Sequence, residues 1–269
     1  MKAVRSFVYQ TAALTVLVWL CAACNRLTWI PTFTSDVKTA VATKPNDKTQ
    51  ITPEFIQHEP PIMPAPDISV FLNDGCQADD NGYLKCPPGS PPAALDCTYL
   101  RTPDPILGAL QPQYPLASCE LGYDKNPIET SDFFIYEEGC LDHRWVQFII
   151  FRGGQYQYLK READLQGAFA PIESPEEALS YAVAATGLKP RFDLAPSPEY
   201  QYEVRQVEET HIERIDDTFT INLFEYKSCG CGPHPLSMVV VSVNRDGRVF
   251  TAVPIDLFRN PELDKICGD

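Results

Sequence analysis

The sequence predicts an α+β fold: antiparallel sheet with one main helix packed on a face, preceded by a disulfide-rich irregular segment. Three observations predict it. Runs of β-branched and aromatic residues joined by short turns fill the second half of the chain, one well-capped helix interrupts them, and the stretch from Asp67 to about Gln113 is crowded with Pro, Gly and Cys.

Phe133-Phe134-Ile135-Tyr136 reads as a strand. Trp145 to Phe151 and Gln155 to Leu159 flank Gly153-Gly154, a two-residue turn that places them as a hairpin. Arg161 to Phe169 predicts a short helix before Pro171. The clearest helix runs from Ser174 to Thr186: Ser174 caps, Pro175 suits the first turn, Glu177 completes a capping box, and Gly187 supplies a left-handed stop. Leu179, Ala182, Val183 and Thr186 share one stripe, and the alanines predict close packing on a sheet. Beyond the helix come Tyr202 to Ile215, Thr218 to Tyr226, Leu236 to Val243 and Val249 to Pro254. Asp216-Asp217 and Asn244-Arg245-Asp246-Gly247 are the turns between them. Local hairpins make antiparallel sheet, hence the α+β class.

The chain begins as an exported protein does. Lys2 and Arg5 precede an apolar run from Phe7 to Leu20, too short for the ~20 residues that span a bilayer, and small residues follow it. Ala22-Ala23-Cys24 resembles the lipobox of bacterial lipoproteins, which implies cleavage before Cys24 and fatty acylation of its sulfur. Cys21 departs from that pattern, where Leu or Val is usual, and leaves simple cleavage after Ala23 as the alternative. Two or more acyl chains hold a protein stably, at ~0.8 kcal/mol for each buried methylene. Asn25, next in line, is not the Asp associated with inner-membrane retention. The expected segments are a signal peptide over 1–23, a lipidated N-terminus and tether over 24–66, a Cys/Pro-rich part leading into a hairpin region over 67–170, and an α+β domain over 171–269.

Ten cysteines are present, and setting aside Cys21 and Cys24 leaves eight: Cys76, Cys86, Cys97, Cys119, Cys140, Cys229, Cys231 and Cys267. In an exported chain an even set argues for disulfides. The spacing suggests Cys76 with Cys86 across the Asp79-Asp80-Asn81-Gly82 turn, and one of Cys229 or Cys231 with Cys267. Removing the signal takes the basic residues from 22 to 20 against 36 acids, a net charge of -16. Such a surface repels phosphate backbones and excludes nucleic acid as a partner.

No catalytic residue, resident metal or cofactor is assigned. Cys229-Gly230-Cys231-Gly232-Pro233-His234 could hold a soft metal, but zinc sites space paired cysteines more widely, so disulfides are the expected fate of both sulfurs. Asp142-His143-Arg144 and His211-x-Glu213 place histidine beside carboxylate, as a general base requires, with no recognisable nucleophile. Asp79-Asp80-Asn81-Gly82 lacks the first and last ligands of a calcium loop.

Two weaker patterns remain. Phe134-x-Tyr136, Cys140, His143 and Arg152-Gly153-Gly154 run parallel to Phe224-x-Tyr226, Cys229, His234 and Arg245-Asp246-Gly247, as a duplication would. Ser174 to Pro254, a helix followed by strands ending in an Asp-Gly hairpin, resembles PepSY and cystatin-like modules, a fold-level likeness that implies no site residue. The expected function is that of an exported lipoprotein, anchored in a membrane by its N-terminal lipid, with a disulfide-stabilised α+β body that binds a partner, such as a protein, in the envelope. The alternative is an extracytoplasmic hydrolase using a carboxylate–histidine pair; it requires His143, His211 or His234 beside an acid in a concave pocket.

Overall fold

In the computed structural model, residues 51–122, 135–137 and 144–268 are described. The strands run in the order β1 (Glu54–Ile56), β2 (Gln77–Ala78), β3 (Leu84–Lys85), β4 (Tyr99–Arg101), β5 (Leu116–Leu121), β6 (Ile135–Glu137), β7 (Arg144–Arg152), β8 (Gln155–Leu159), β9 (Gln201–Tyr202), β10 (Gln206–Glu208), β11 (Ile212–Ile215), β12 (Thr218–Tyr226), β13 (Pro235–Asn244), β14 (Val249–Thr251) and β15 (Ile255–Arg259). The α-helices are α1 (Ser69–Asn73), α2 (Glu162–Phe169) and α3 (Pro175–Thr186). Strands dominate, and both principal sheets are antiparallel.

In the first sheet the order is β4-β5-β7-β6, with β8 also on β7; in the second it is β11-β12-β13-β15-β9, with β14 also on β13. Each is organised around one long strand. The β7–β8 hairpin turns at Gly153 (φ 62°) and Gly154 (φ 80°), as its sequence predicts. The pairing order differs between the sheets: β6 and β8 share one edge of β7 opposite β5, whereas β12 takes a whole edge of β13 opposite β14. That difference removes the topological basis for a duplication; Phe134, Cys140 and His143, on which the pattern also rested, lie outside the described residues.

The core explains the layers. Leu116, Val146, Phe148 and Ile150 of the first sheet and Phe219, Ile221, Leu223, Val239, Val241 and Val243 of the second belong to one apolar cluster with α3. Residues 177–184 of that helix are all buried. The stripe read from the sequence captured one face of a helix that is covered on every side. Small side chains at Ala178, Ala182 and Ala184 let both sheets approach it. One core thus takes residues from both sides of position 171, and residues 48–269 form one unit rather than two domains.

The cap of α3 is as expected at Ser174, whose hydroxyl accepts the Glu177 N–H at 3.1 Å. The reciprocal bond lands one residue earlier than a capping box would place it, since Glu177 Oε2 accepts the N–H of Glu173 at 2.8 Å. Gly187, at φ 73°, closes the helix in the left-handed conformation.

Outer layers cover both sheets. Phe71, Cys76, Leu84 and Leu100 pack with Ala117, Cys119, Leu121 and Ile149 on the first sheet. This is the irregular, cysteine-rich part, and apolar burial supports it as well as disulfides. On the second sheet, Leu194, Tyr202 and Val207 pack with Phe224, Leu236 and Phe258. The expected strand from Tyr202 to Ile215 is therefore three short ones, because residues 203–205 and 209–211 bend to follow that surface.

The tether ends earlier than residue 66. Strand β1 pairs in parallel with β10, Glu54 opposite Gln206 and Ile56 opposite Glu208, and Phe55 packs in the outer layer. It is only three residues long, but the body supplies the partner strand that a local reading cannot see.

Candidate functional site

Every described cysteine is in a disulfide. Cys76 is bonded to Cys86 and Cys231 to Cys267, both as the spacing suggests, and Cys97 to Cys119. Cys229 is also disulfide-bonded, with its partner outside the described residues. Cys24, Cys140 and His143 lie outside them too.

Inside the first loop Asp79 organises the turn. Its Oδ1 accepts the N–H groups of Asn81 and Tyr83, each at 3.0 Å, and its Oδ2 meets Lys85 Nζ at 3.0 Å. The Lys85 ammonium first, then the backbone donors, hold its carboxyl below the usual range. Asp79 is occupied as a turn residue.

The metal alternative at Cys229, Cys231 and His234 is overturned: a disulfide sulfur is not a thiolate ligand. The His234 ring is also engaged, with Nδ1 3.1 Å from the Lys227 carbonyl and Nε2 3.2 Å from that of Ile266, while its backbone N–H donates to Asp264. Gly230 and Gly268 exchange backbone hydrogen bonds beside it. His234 thus helps fasten the C-terminal segment to the body. It borders a cavity of about 460 Å³ with Tyr200, Tyr226, Phe258, Arg191 and Arg259.

A second cluster is built from the other two described histidines. His58 follows β1, Glu208 ends β10, and His211 precedes β11, so the parallel pairing of β1 with β10 brings residue 58 to the bend between β10 and β11. His58 Nε2 is 3.1 Å and His211 Nδ1 3.5 Å from the same oxygen, Glu208 Oε1. The two rings stack at 4.8 Å between centroids.

Buried polar groups fix the backbone here. Glu209, only 1 % exposed, accepts the N–H of His58 at 3.0 Å through Oε2 and that of Leu194 at 2.8 Å through Oε1. Asn222 lies 3.2 Å from His211 Nδ1 through its amide nitrogen, and Glu213 lies 3.6 Å from Nε2 on the far side of the ring.

Acid-paired His211 is what the hydrolase alternative asks for, but the cavity named above belongs to His234, and His211 does not border it. Of this cluster the sequence pointed only to His211-x-Glu213. His58 was hidden in a segment read as tether. Glu208-x-x-His211 was visible as a pair, yet nothing local says that a third donor arrives from residue 58.

The chain is thus a strand-dominated, disulfide-bonded protein with a histidine–carboxylate cluster just past the end of its first described strand. No protein-family model matches it, and comparisons with curated proteins and with solved structures find no match. Among the described residues, no helix is long and apolar enough to cross a membrane.

Proposed function

We propose that this is an exported lipoprotein, acylated on Cys24, whose disulfide-bonded body binds a protein in the cell envelope. The observation that carries the export reading is the state of the cysteines: all seven that are described are oxidised, which suits an oxidising compartment and not a reducing one. The signal-like leader and the Ala22-Ala23-Cys24 motif supply the address and the anchor.

Support for the binding part comes from the surface. Phe250, opposite Ser242, and Ile255, opposite Met238, lie on the outer face of the second sheet, and Val253 joins the strands that carry them. They are 57 %, 46 % and 84 % exposed. Apolar side chains grouped this way on an acidic protein are the kind of surface that a protein partner covers.

Mass analysis of the protein taken from its native membrane, with and without reduction, tests the reading. The expected result is a chain that starts at an acylated Cys24, with its remaining eight cysteines alkylated only after reduction. An uncut, unacylated chain with free thiols in the cell interior would overturn it.

A further inference from the structure

We infer that His58, Glu208 and His211 form a binding site for a divalent transition-metal ion of the zinc class, which ties strand β1 to the body. The inference does not depend on the lipid anchor. It starts from the donor set: two imidazoles and a carboxylate, whose ligand atoms all lie within 4.8 Å of one another. An ion bound at ~2.0–2.2 Å by such ligands separates them by roughly 3.4 Å in a tetrahedral site. The two measured imidazole–carboxylate separations, 3.1 and 3.5 Å, match that spacing. The His58 side chain is 33 % exposed, so its ring has room to turn and bring the two imidazole nitrogens closer.

The surroundings of His211 can accommodate an ion. Asn222 Nδ2 lies 3.2 Å from His211 Nδ1, and Glu213 lies 3.6 Å from Nε2 on the far side of the ring. An ion bound through Nδ1 takes over the lone pair that faces Asn222, whose amide gives up that contact. The imidazole proton is then on Nε2, directed at Glu213, which gives the carboxylate–histidine–metal relay that orients ligating imidazoles elsewhere. Buried Glu209 holds the His58 backbone in place before any ion arrives.

The site spans chain segments about 150 residues apart, and β1 is a strand of three residues, paired with β10 and held by the packing of Phe55 in the outer layer. An ion held across the junction would therefore protect the first strand from opening. Two imidazoles with one carboxylate favour zinc, copper or nickel over calcium or magnesium, which prefer all-oxygen sites.

The test is a titration of the intact, oxidised chain with Zn²⁺, followed by Co²⁺ substitution and visible absorption spectroscopy. The expected result is one ion per chain, with affinity lowered at least tenfold in His211→Ala and Glu208→Gln and more modestly in Glu213→Gln, together with loss of the Co²⁺ ligand-field bands in the first two. Because Glu208 and His211 border strands, His58→Asn serves as a variant that leaves β10 and β11 unaltered, and it is expected to weaken binding equally. Proteolysis at the β1 junction should slow when Zn²⁺ is added to the natural chain and not to His58→Asn. Equal Zn²⁺ affinity in the natural chain and the folded His58→Asn variant, or absence of Co²⁺ bands, would overturn the proposal.

Discussion

Tyr181 donates its buried hydroxyl to the carbonyl oxygen of Gly247 at 2.9 Å. This single bond joins the middle of α3 to the turn between β13 and β14. Burial raises the phenol's pKa first, and the nearby Glu162 and Asp246 charges add to it, so the group stays a donor throughout the useful pH range. Tyr181→Phe should therefore leave a buried carbonyl unpaired and cost about 1–3 kcal/mol in denaturant unfolding. Gly247→Ala should destabilise by another route: its φ is +83° and an added Cβ would sit 2.9 Å from the Tyr181 oxygen. Removing the oxygen in Tyr181→Phe, Gly247→Ala relieves the contact but not the backbone strain. The double variant should therefore lose less than the sum of the singles.

Gly108 reports on the segment that the sequence assigned to a tether. A Cβ on Gly108 would lie 1.8 Å from the Pro64 carbonyl oxygen and 2.7 Å from its carbon. Backbone cannot yield as a flexible side chain does, so Gly108→Ala should displace residues 61–66 and cost about 1–3 kcal/mol. Limited proteolysis checks this: new cleavage before residue 67 is expected in the variant, and an unchanged pattern would show that the segment is not packed there.

The disulfides differ in the length of chain they close, 10 residues for Cys76–Cys86, 22 for Cys97–Cys119 and 36 for Cys231–Cys267. On loop-closure entropy alone, replacing both cysteines by serine should cost about 4 kcal/mol at the longest loop and about 3 kcal/mol at the shortest. Non-reducing peptide mapping should recover these three pairs. It should also join Cys229 to Cys140, because the described cysteines leave no other partner and cleavage before Cys24 with acylation removes Cys21 and Cys24. A free thiol on Cys140 would contradict that pairing.

What was legible in the sequence was local. Ser174, Pro175 and Gly187 delimit α3 because caps and stops act within a turn of the residues that make them. Gly153-Gly154 set the hairpin, and the turn at Asp79-Asp80-Asn81-Gly82 suggested the pairing of Cys76 with Cys86 that the structure shows. What was not legible depended on distant chain. Strand β1 has three residues and gains its partner from β10; the second face of α3 is covered only because a whole sheet lies on either side; and His58 joins Glu208 and His211 through that same long-range pairing. Hydrophobic periodicity records one buried face of an element but not how many neighbours will share it.

Glu177 should give the protein a pH dependence opposite in sign to the usual acid unfolding. It is 3 % exposed at the start of α3, and burial raises its pKa above the ordinary 4.5 despite the N–H groups of Glu173 and Ser174 that favour the charged form. The folded chain thus holds this proton to higher pH than the unfolded chain does. Between about pH 4.5 and the raised folded value the native state binds more protons, so this group's contribution falls as pH rises through that window and is unfavourable above it. Asp79, held below its ordinary 3.8, acts the other way, its contribution being lost only as pH falls beneath that value, so the two windows separate. Glu177→Gln keeps an oxygen to accept the Glu173 N–H but carries no charge at any pH. The variant should melt higher than the natural chain at pH 7 and show a smaller change in Tm between pH 4.5 and 7. A pH profile parallel to that of the natural chain would mean that Glu177 titrates alike folded and unfolded, and that its burial is offset by the donors around it.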